Sequence, residues 1–153
     1  MSAVDPRLLP ETAVVSPDGA LSLGGVAVSE LAARFGTPLF VYDEKHLRNR
    51  CRQAVAEFGE DGVVYATKAF LCGAMARLAH EEGLLLDVAT GGELFAATAA
   101  GVPAGRCVLH GNNKSTDELR LAITSGVNHI IVDSFDELDR LEALHAEGLP
   151  VPH

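Results

Sequence analysis

Four short apolar runs pace the chain from residue 63 onward: Val63–Thr67, Leu84–Ala89, Cys107–His110 and Ile130–Val132. Their starts lie about 22 residues apart, with helical hydrophobic spacing between them. Strand and helix therefore alternate, and fully apolar strands in repeated βα units imply a parallel sheet covered by helices. The joints agree with this. Thr90-Gly91-Gly92-Glu93, Ser115-Thr116-Asp117-Glu118 and Ser134-Phe135-Asp136-Glu137 each put a hydroxyl three residues before a glutamate, where a strand should turn into a helix. That is a capping box, which satisfies orphan amides at a helix start from both directions. Gly83, Gly101 and Gly126 stand near the helix ends, where a left-handed residue is wanted.

Two architectures accommodate such units, an open doubly wound sheet and a (β/α)8 barrel. No GxGxxG or P-loop follows the first strand, so the usual signature of the nucleotide-binding sheets is missing and the barrel is preferred. Only four units fit before Leu149-Pro150-Val151-Pro152-His153, where a fifth strand should begin, whereas a barrel needs about 250 residues. The expectation is the first half of a larger barrel. Alone it would leave two sheet edges and an apolar interior exposed, and so be inactive and poorly soluble.

Upstream, residues 1–25 hold Pro6, Pro10, Pro17 and the Asp18-Gly19 turn pair without sustained periodicity, which reads as an irregular arm. Ser29 is placed to cap a helix over residues 30–35, stopped by Gly36 and Pro38. Leu39-Phe40-Val41-Tyr42 reads as a strand. Asp43 then caps a helix with Leu47, Cys51, Val55 and Phe58 at helical spacing, ending near Gly59. The expected division is an arm and short helix over 1–38 and a partial barrel over 39–153.

Composition narrows the partners. With 153 residues, nearly half of them hydrophobic, the chain can bury one real core. Its net charge is −9 and its Lys and Arg are scattered, so no footprint for nucleic acid is visible. No run approaches the ~20 apolar residues of a membrane span, and no signal-peptide core opens the chain, which reads as cytoplasmic. Cys51, Cys72 and Cys107 form no CxxC pair and are expected as buried small hydrophobes rather than disulfides. Cys107 and His110, three apart on a strand, should face opposite ways, and no metal site is expected.

In barrels the working residues lie at the carboxyl ends of the strands. Lys68 ends the first, Asp87 lies late in the second, His110 ends the third and Asp133 ends the fourth. Strand alternation puts Val64, Ala66 and Lys68 on one face, with Lys68 among apolar neighbours. Desolvation disfavours its ammonium form, and a neutral amine can attack a carbonyl and form a Schiff base. Ala66 is small and leaves room for something flat. The position also suits a lysine reaching into water. Asp87, between Leu85 and Ala89 on its face, needs a partner; Lys68 is the nearest cation, and the amides of the Thr90–Gly92 turn are the alternative. His110, before Gly111-Asn112-Asn113-Lys114, suits either chemistry or loop shaping. Gly91-Gly92 at a helix start could hold an anion, but the cap already accounts for those amides.

Taken together, Tyr65-Ala66-Thr67-Lys68-Ala69-Phe70, Asp87-Val88-Ala89-Thr90-Gly91-Gly92-Glu93-Leu94 and His110-Gly111-Asn112-Asn113-Lys114-Ser115 resemble successive strand-end motifs of the fold-type III pyridoxal-phosphate decarboxylases. These have a (β/α)8 barrel of the alanine-racemase type. The resemblance runs from about Leu39 to the end and implies that Lys68 carries pyridoxal 5′-phosphate. It also puts Asp87 and Ala66 beside the cofactor and His110, with Asn112, near the barrel mouth. The cofactor would act as electron sink while an amino-acid substrate loses CO₂. The Asn112-Asn113-Lys114 turn favours the branch acting on meso-2,6-diaminopimelate to give L-lysine over those acting on ornithine, arginine or carboxynorspermidine. A noncatalytic pyridoxal-phosphate carrier is a further possibility. Family members are homodimers whose sites use both subunits. Their glycine-rich phosphate loop and their ring-stacking histidine belong to sequence beyond His153, and Thr90 stands where serine is more usual.

Overall fold

A computed structural model describes residues 5–150. Two compact units are distinguished, residues 1–50 and 51–153.

In the first unit a 3₁₀ turn (Pro6–Leu8) precedes an antiparallel three-stranded sheet of β1 (Val14–Val15), β2 (Leu21–Leu23) and β3 (Val26–Ala27), followed by helix α1 (Val28–Phe35). The irregular arm expected over residues 1–25, whose first four residues lie outside the described residues, is thus a small meander from Val14 onward. Its signal is Gly24-Gly25, which joins β2 to β3 with both residues at positive φ, 57° and 84°. A two-residue hairpin turn needs that conformation, and glycine adopts it freely. The expected Ser29 cap is also corrected. The chain passes straight from β3 into α1, so Ala27 occupies the N-cap without a side-chain bond and Ser29 falls inside the first turn. Gly36, at φ 79°, follows the helix. Residues 39–42 join neither sheet, against the strand expected there. Apolar side chains supply propensity, but a strand exists only where a neighbour supplies a ladder. Helix α2 (Glu44–Phe58) begins as expected, with the Asp43 carboxylate accepting the His46 N–H at 2.9 Å.

The second unit is built on a parallel sheet of β4 (Val64–Ala66), β5 (Leu85–Val88), β6 (Cys107–His110) and β7 (His129–Ile131). Each strand is followed by a helix: α3 (Gly73–Glu81), α4 (Gly91–Ala99), α5 (Thr116–Ser125) and α6 (Phe135–Ala146). The spatial order β4-β5-β6-β7 repeats the chain order with no switch point. Consecutive helices pack on one another, α3 on α4, α4 on α5 and α5 on α6. This is an α/β fold with a parallel sheet, as the apolar rhythm required. Leu86, Val88, Leu94, Leu109, Leu119 and Leu144 are buried in its core, each stabilising it by about 1.5–3 kcal/mol. The flanking strands are more open, with Val64 45% and Ile131 41% exposed.

All three hydroxyl caps form. Thr90, Ser115 and Ser134 accept the N–H of Glu93, Glu118 and Glu137 respectively. The reciprocal bond reaches the N-cap amide only at Ser115. Glu93 and Glu137 reach back one residue further, to the amides of Ala89 and Asp133. Cys51 and Cys107 are buried as expected, and burial pushes the Cys107 thiol up to about 11. Cys72, by contrast, is exposed, because it precedes α3 rather than facing inward from it. Among the described residues no helix is long and apolar enough to cross a membrane.

Candidate active site

Lys68, Asp87 and His110 all lie at the carboxyl ends of adjacent strands, on one rim of the sheet. The first joint departs from expectation. β4 ends at Ala66, and Thr67–Ala69 form a 3₁₀ turn. Lys68 therefore leaves the Val64–Ala66 alternation and is exposed, while Thr67 is buried at 1%. The apolar surroundings expected for the Lys68 amine are not found in this chain. The cause is local. The Thr67 hydroxyl donates to the Asp87 carbonyl across the sheet at 2.8 Å, and the Tyr65 hydroxyl donates to the Phe70 carbonyl at 2.6 Å. The first bond replaces a further rung of the β4–β5 ladder, and the second ties the two ends of the turn that presents Lys68.

Ala66 and Asp87 are register partners on β4 and β5. The expected pairing of Asp87 with Lys68 is not observed. The group that stands beside it is the His110 imidazole, its Nδ1 3.4 Å from Asp87 Oδ1. That distance is in ion-pair range, yet Oδ1 is buried and has no hydrogen-bond partner. The Thr90–Gly92 amides do not serve Asp87 either. The Gly91 N–H is taken by Glu118 Oε1 at 3.0 Å, so the anion at the start of α4 is a side chain of this protein. His110 ends β6 with its side chain 48% exposed, and Asp133 lies beyond β7, exposed. A buried carboxylate oxygen, a half-exposed imidazole and an exposed amine thus share the rim. They offer an acceptor, a titratable group and a nucleophile to a bound molecule.

Sequence reasoning missed the polar groups that hold this rim from beneath. Lys114 is 2% exposed, and its Nζ donates to the carbonyls of Gly111 and Ile131, the latter at 2.8 Å. Glu137 Oε1 stands 2.8 Å from the same Nζ, off the hydrogen-bond direction, so charge holds that pair. Arg140 donates to the Lys114 carbonyl. A lysine in an Asn-Asn-Lys turn carries no local sign of burial. The Glu137 partner is legible only as a capping glutamate.

Residues 44–151 match the family model described as the pyridoxal binding domain of the pyridoxal-dependent decarboxylases. The chain is 48% identical over 144 residues to the diaminopimelate decarboxylase of Mycobacterium tuberculosis H37Rv, covering 94% of this chain and 32% of that protein. It is 49% identical over 133 residues to that of Bacillus subtilis 168, covering 84% and 30%. Among solved structures, the diaminopimelate decarboxylase of M. jannaschii in complex with L-lysine superposes with a TM-score of 0.74 at 31% identity, over 89% of this chain and 34% of that one. The chain spans about a third of the length of the curated relatives it matches.

Proposed function

This chain belongs to the pyridoxal-dependent decarboxylase family, and on that premise we propose that it is the cofactor-bearing part of a diaminopimelate decarboxylase. The reaction in this reading releases CO₂ from meso-2,6-diaminopimelate and leaves L-lysine. The observation that carries it is the near-half identity with two curated diaminopimelate decarboxylases over most of the chain.

Pyridoxal 5′-phosphate, when bound, supplies the electron sink for the loss of the carboxylate. The residues present fit its aldehyde end. Lys68 presents an amine at the rim, and Asp87 Oδ1 is a buried acceptor with no hydrogen-bond partner among the described residues. Lys68 would hold the cofactor covalently, and Asp87, with its register partner Ala66 on the neighbouring strand, would lie beside it. His110 stands at the mouth, where it can take up or deliver a proton. Residues 39–153 form the first part of a (β/α)8 barrel of the alanine-racemase type. The unswitched strand order and the single run of neighbouring helices support this, since a doubly wound sheet reverses its order at a switch point. The longer protein is read as a cytoplasmic homodimer whose second subunit completes the site.

The test is borohydride reduction of the complete gene product with pyridoxal 5′-phosphate, followed by peptide mapping. The tag is expected on Lys68, and a tag on another lysine instead overturns the assignment. CO₂ release should follow addition of meso-2,6-diaminopimelate and be lost in Lys68→Ala; release from ornithine or arginine in its place would redirect the substrate.

A further inference from the structure

We propose that Lys114 is a positioning residue, whose buried ammonium sets His110 against Asp87. The assignment rests on the reading of that rim as the cofactor site, but its geometry stands apart from the cofactor.

The starting point is the last rung of the β6–β7 ladder, where His110 pairs with Ile131. Beyond it the chain turns away through Gly111, and β6 has ended. The Lys114 ammonium bridges the two carbonyls on either side of this point, that of Gly111, next after His110, and that of Ile131, its register partner. A side chain thus supplies the next rung that the backbone lacks. Glu137, in the first turn of α6, balances the charge at 2.8 Å, and Arg140, one turn later, holds the Lys114 carbonyl. Burying such a pair gains little stability over an apolar pair of the same volume. Its use lies in direction: the ammonium donates to two carbonyls at once while the carboxylate beside it balances the charge, which no apolar side chain can do.

The opposite side of the same turn is equally constrained. A Cβ on Gly111 would lie 2.9 Å from the Ala89 carbonyl oxygen, so only glycine lets the turn lie against the end of β5, the strand that carries Asp87. Lys114 pulls the turn towards β7 while the bare Gly111 backbone lets it close on β5. His110 is set between them, 3.4 Å from Asp87.

The test is the imidazole NMR signal of His110, assigned with His110→Gln, in the cofactor-free complete gene product. Asp87→Asn should shift that signal in the parent protein, because the two side chains are in contact. In Lys114→Met the shift caused by Asp87→Asn should be lost, since His110 no longer sits against Asp87. Lys114→Met leaves Glu137 buried without its partner and can prevent folding. Gly111→Ala, which keeps the ion pair and displaces the turn from its other side, should abolish the same coupling and carries the test in that case. A lysine acting on stability alone would lower the melting temperature and leave the coupling intact. An undiminished Asp87→Asn shift in either folded variant overturns the proposal. Cofactor retention, measured on the same variants, should weaken about tenfold, as for partners that orient a directly bound group, with the borohydride tag still on Lys68. A parent that takes up no cofactor but shows the coupling refutes the cofactor reading and leaves the positioning role supported.

Discussion

Glu118 serves two helix starts at once, and its protonation links them. Its Oε2 accepts from the Ser115 N–H at 2.9 Å, while Oε1 accepts from the Gly91 N–H at the start of α4. The Ser115 amide first, and the Gly91 amide after it, hold the carboxyl below its ordinary value of 4.5. A folded value below the unfolded one means that the ionised form favours the native state. This contribution is complete above pH 4.5 and is lost as pH falls through the folded value. Glu118→Gln should therefore cost about 1 kcal/mol at neutral pH, a modest figure because the group is only partly buried. In urea titrations at about pH 6 and about pH 3, the gap between parent and variant should narrow at the lower pH. A gap independent of pH would remove the carboxylate from this role.

At the scale of elements, the three strand-to-helix joints are not equivalent. Ser115 closes a full reciprocal box, and its hydroxyl also contacts Glu118 at 2.9 Å. At Thr90 the hydroxyl cap stands without the return bond to its own amide. Ser115→Ala should therefore destabilise by about 1.5 kcal/mol and Thr90→Ala by about 0.5–1 kcal/mol, read from denaturant midpoints. Equal losses would show that the second contact of the Ser115 hydroxyl, to the Glu118 carboxylate, contributes nothing. These joints explain why the parallel unit was legible in the sequence. Apolar runs and hydroxyl-to-glutamate spacing are local signals, repeated four and three times in register. The small sheet of the first unit was opaque because strands of two or three residues leave no period to detect, and only the Asp18-Gly19 and Gly24-Gly25 turns marked them. The Lys68 rim was legible in position and not in environment. Strand alternation forecast its face, but the Thr67 hydroxyl captured the Asp87 carbonyl and ended the strand early. The burial of Lys114 depends on Ile131 of β7 and Glu137 of α6 converging on its own turn, which no window of sequence displays.

At the scale of the whole chain, two opposed forces decide how residues 1–153 behave when produced by themselves. Within the parallel sheet β4 and β7 are the flanking strands, and among the described residues no further strand pairs with either. Val64, Ile131, Val132 and Phe135 are exposed on or beside those strands, Phe135 at 87%. Open ladders beside apolar side chains template pairing between copies. The net charge of −9 opposes it, since every encounter brings like charges together. That repulsion is long-ranged only at low salt, with a Debye length of about 30 Å at 0.01 M falling to about 3 Å at 1 M. Edge pairing and apolar contact act at van der Waals range and are not screened in this way. Size-exclusion chromatography with light scattering should therefore find the isolated chain smallest at low ionic strength and increasingly associated as salt is added. Charge substitution at the edges, Val64→Lys with Ile131→Lys, should reduce that association, because a lysine on an edge strand blocks pairing by carrying its hydration into the interface. If the chain stays monomeric across the whole salt range, the flanking strands are not competent to pair and the sheet needs no further strands to be stable in water.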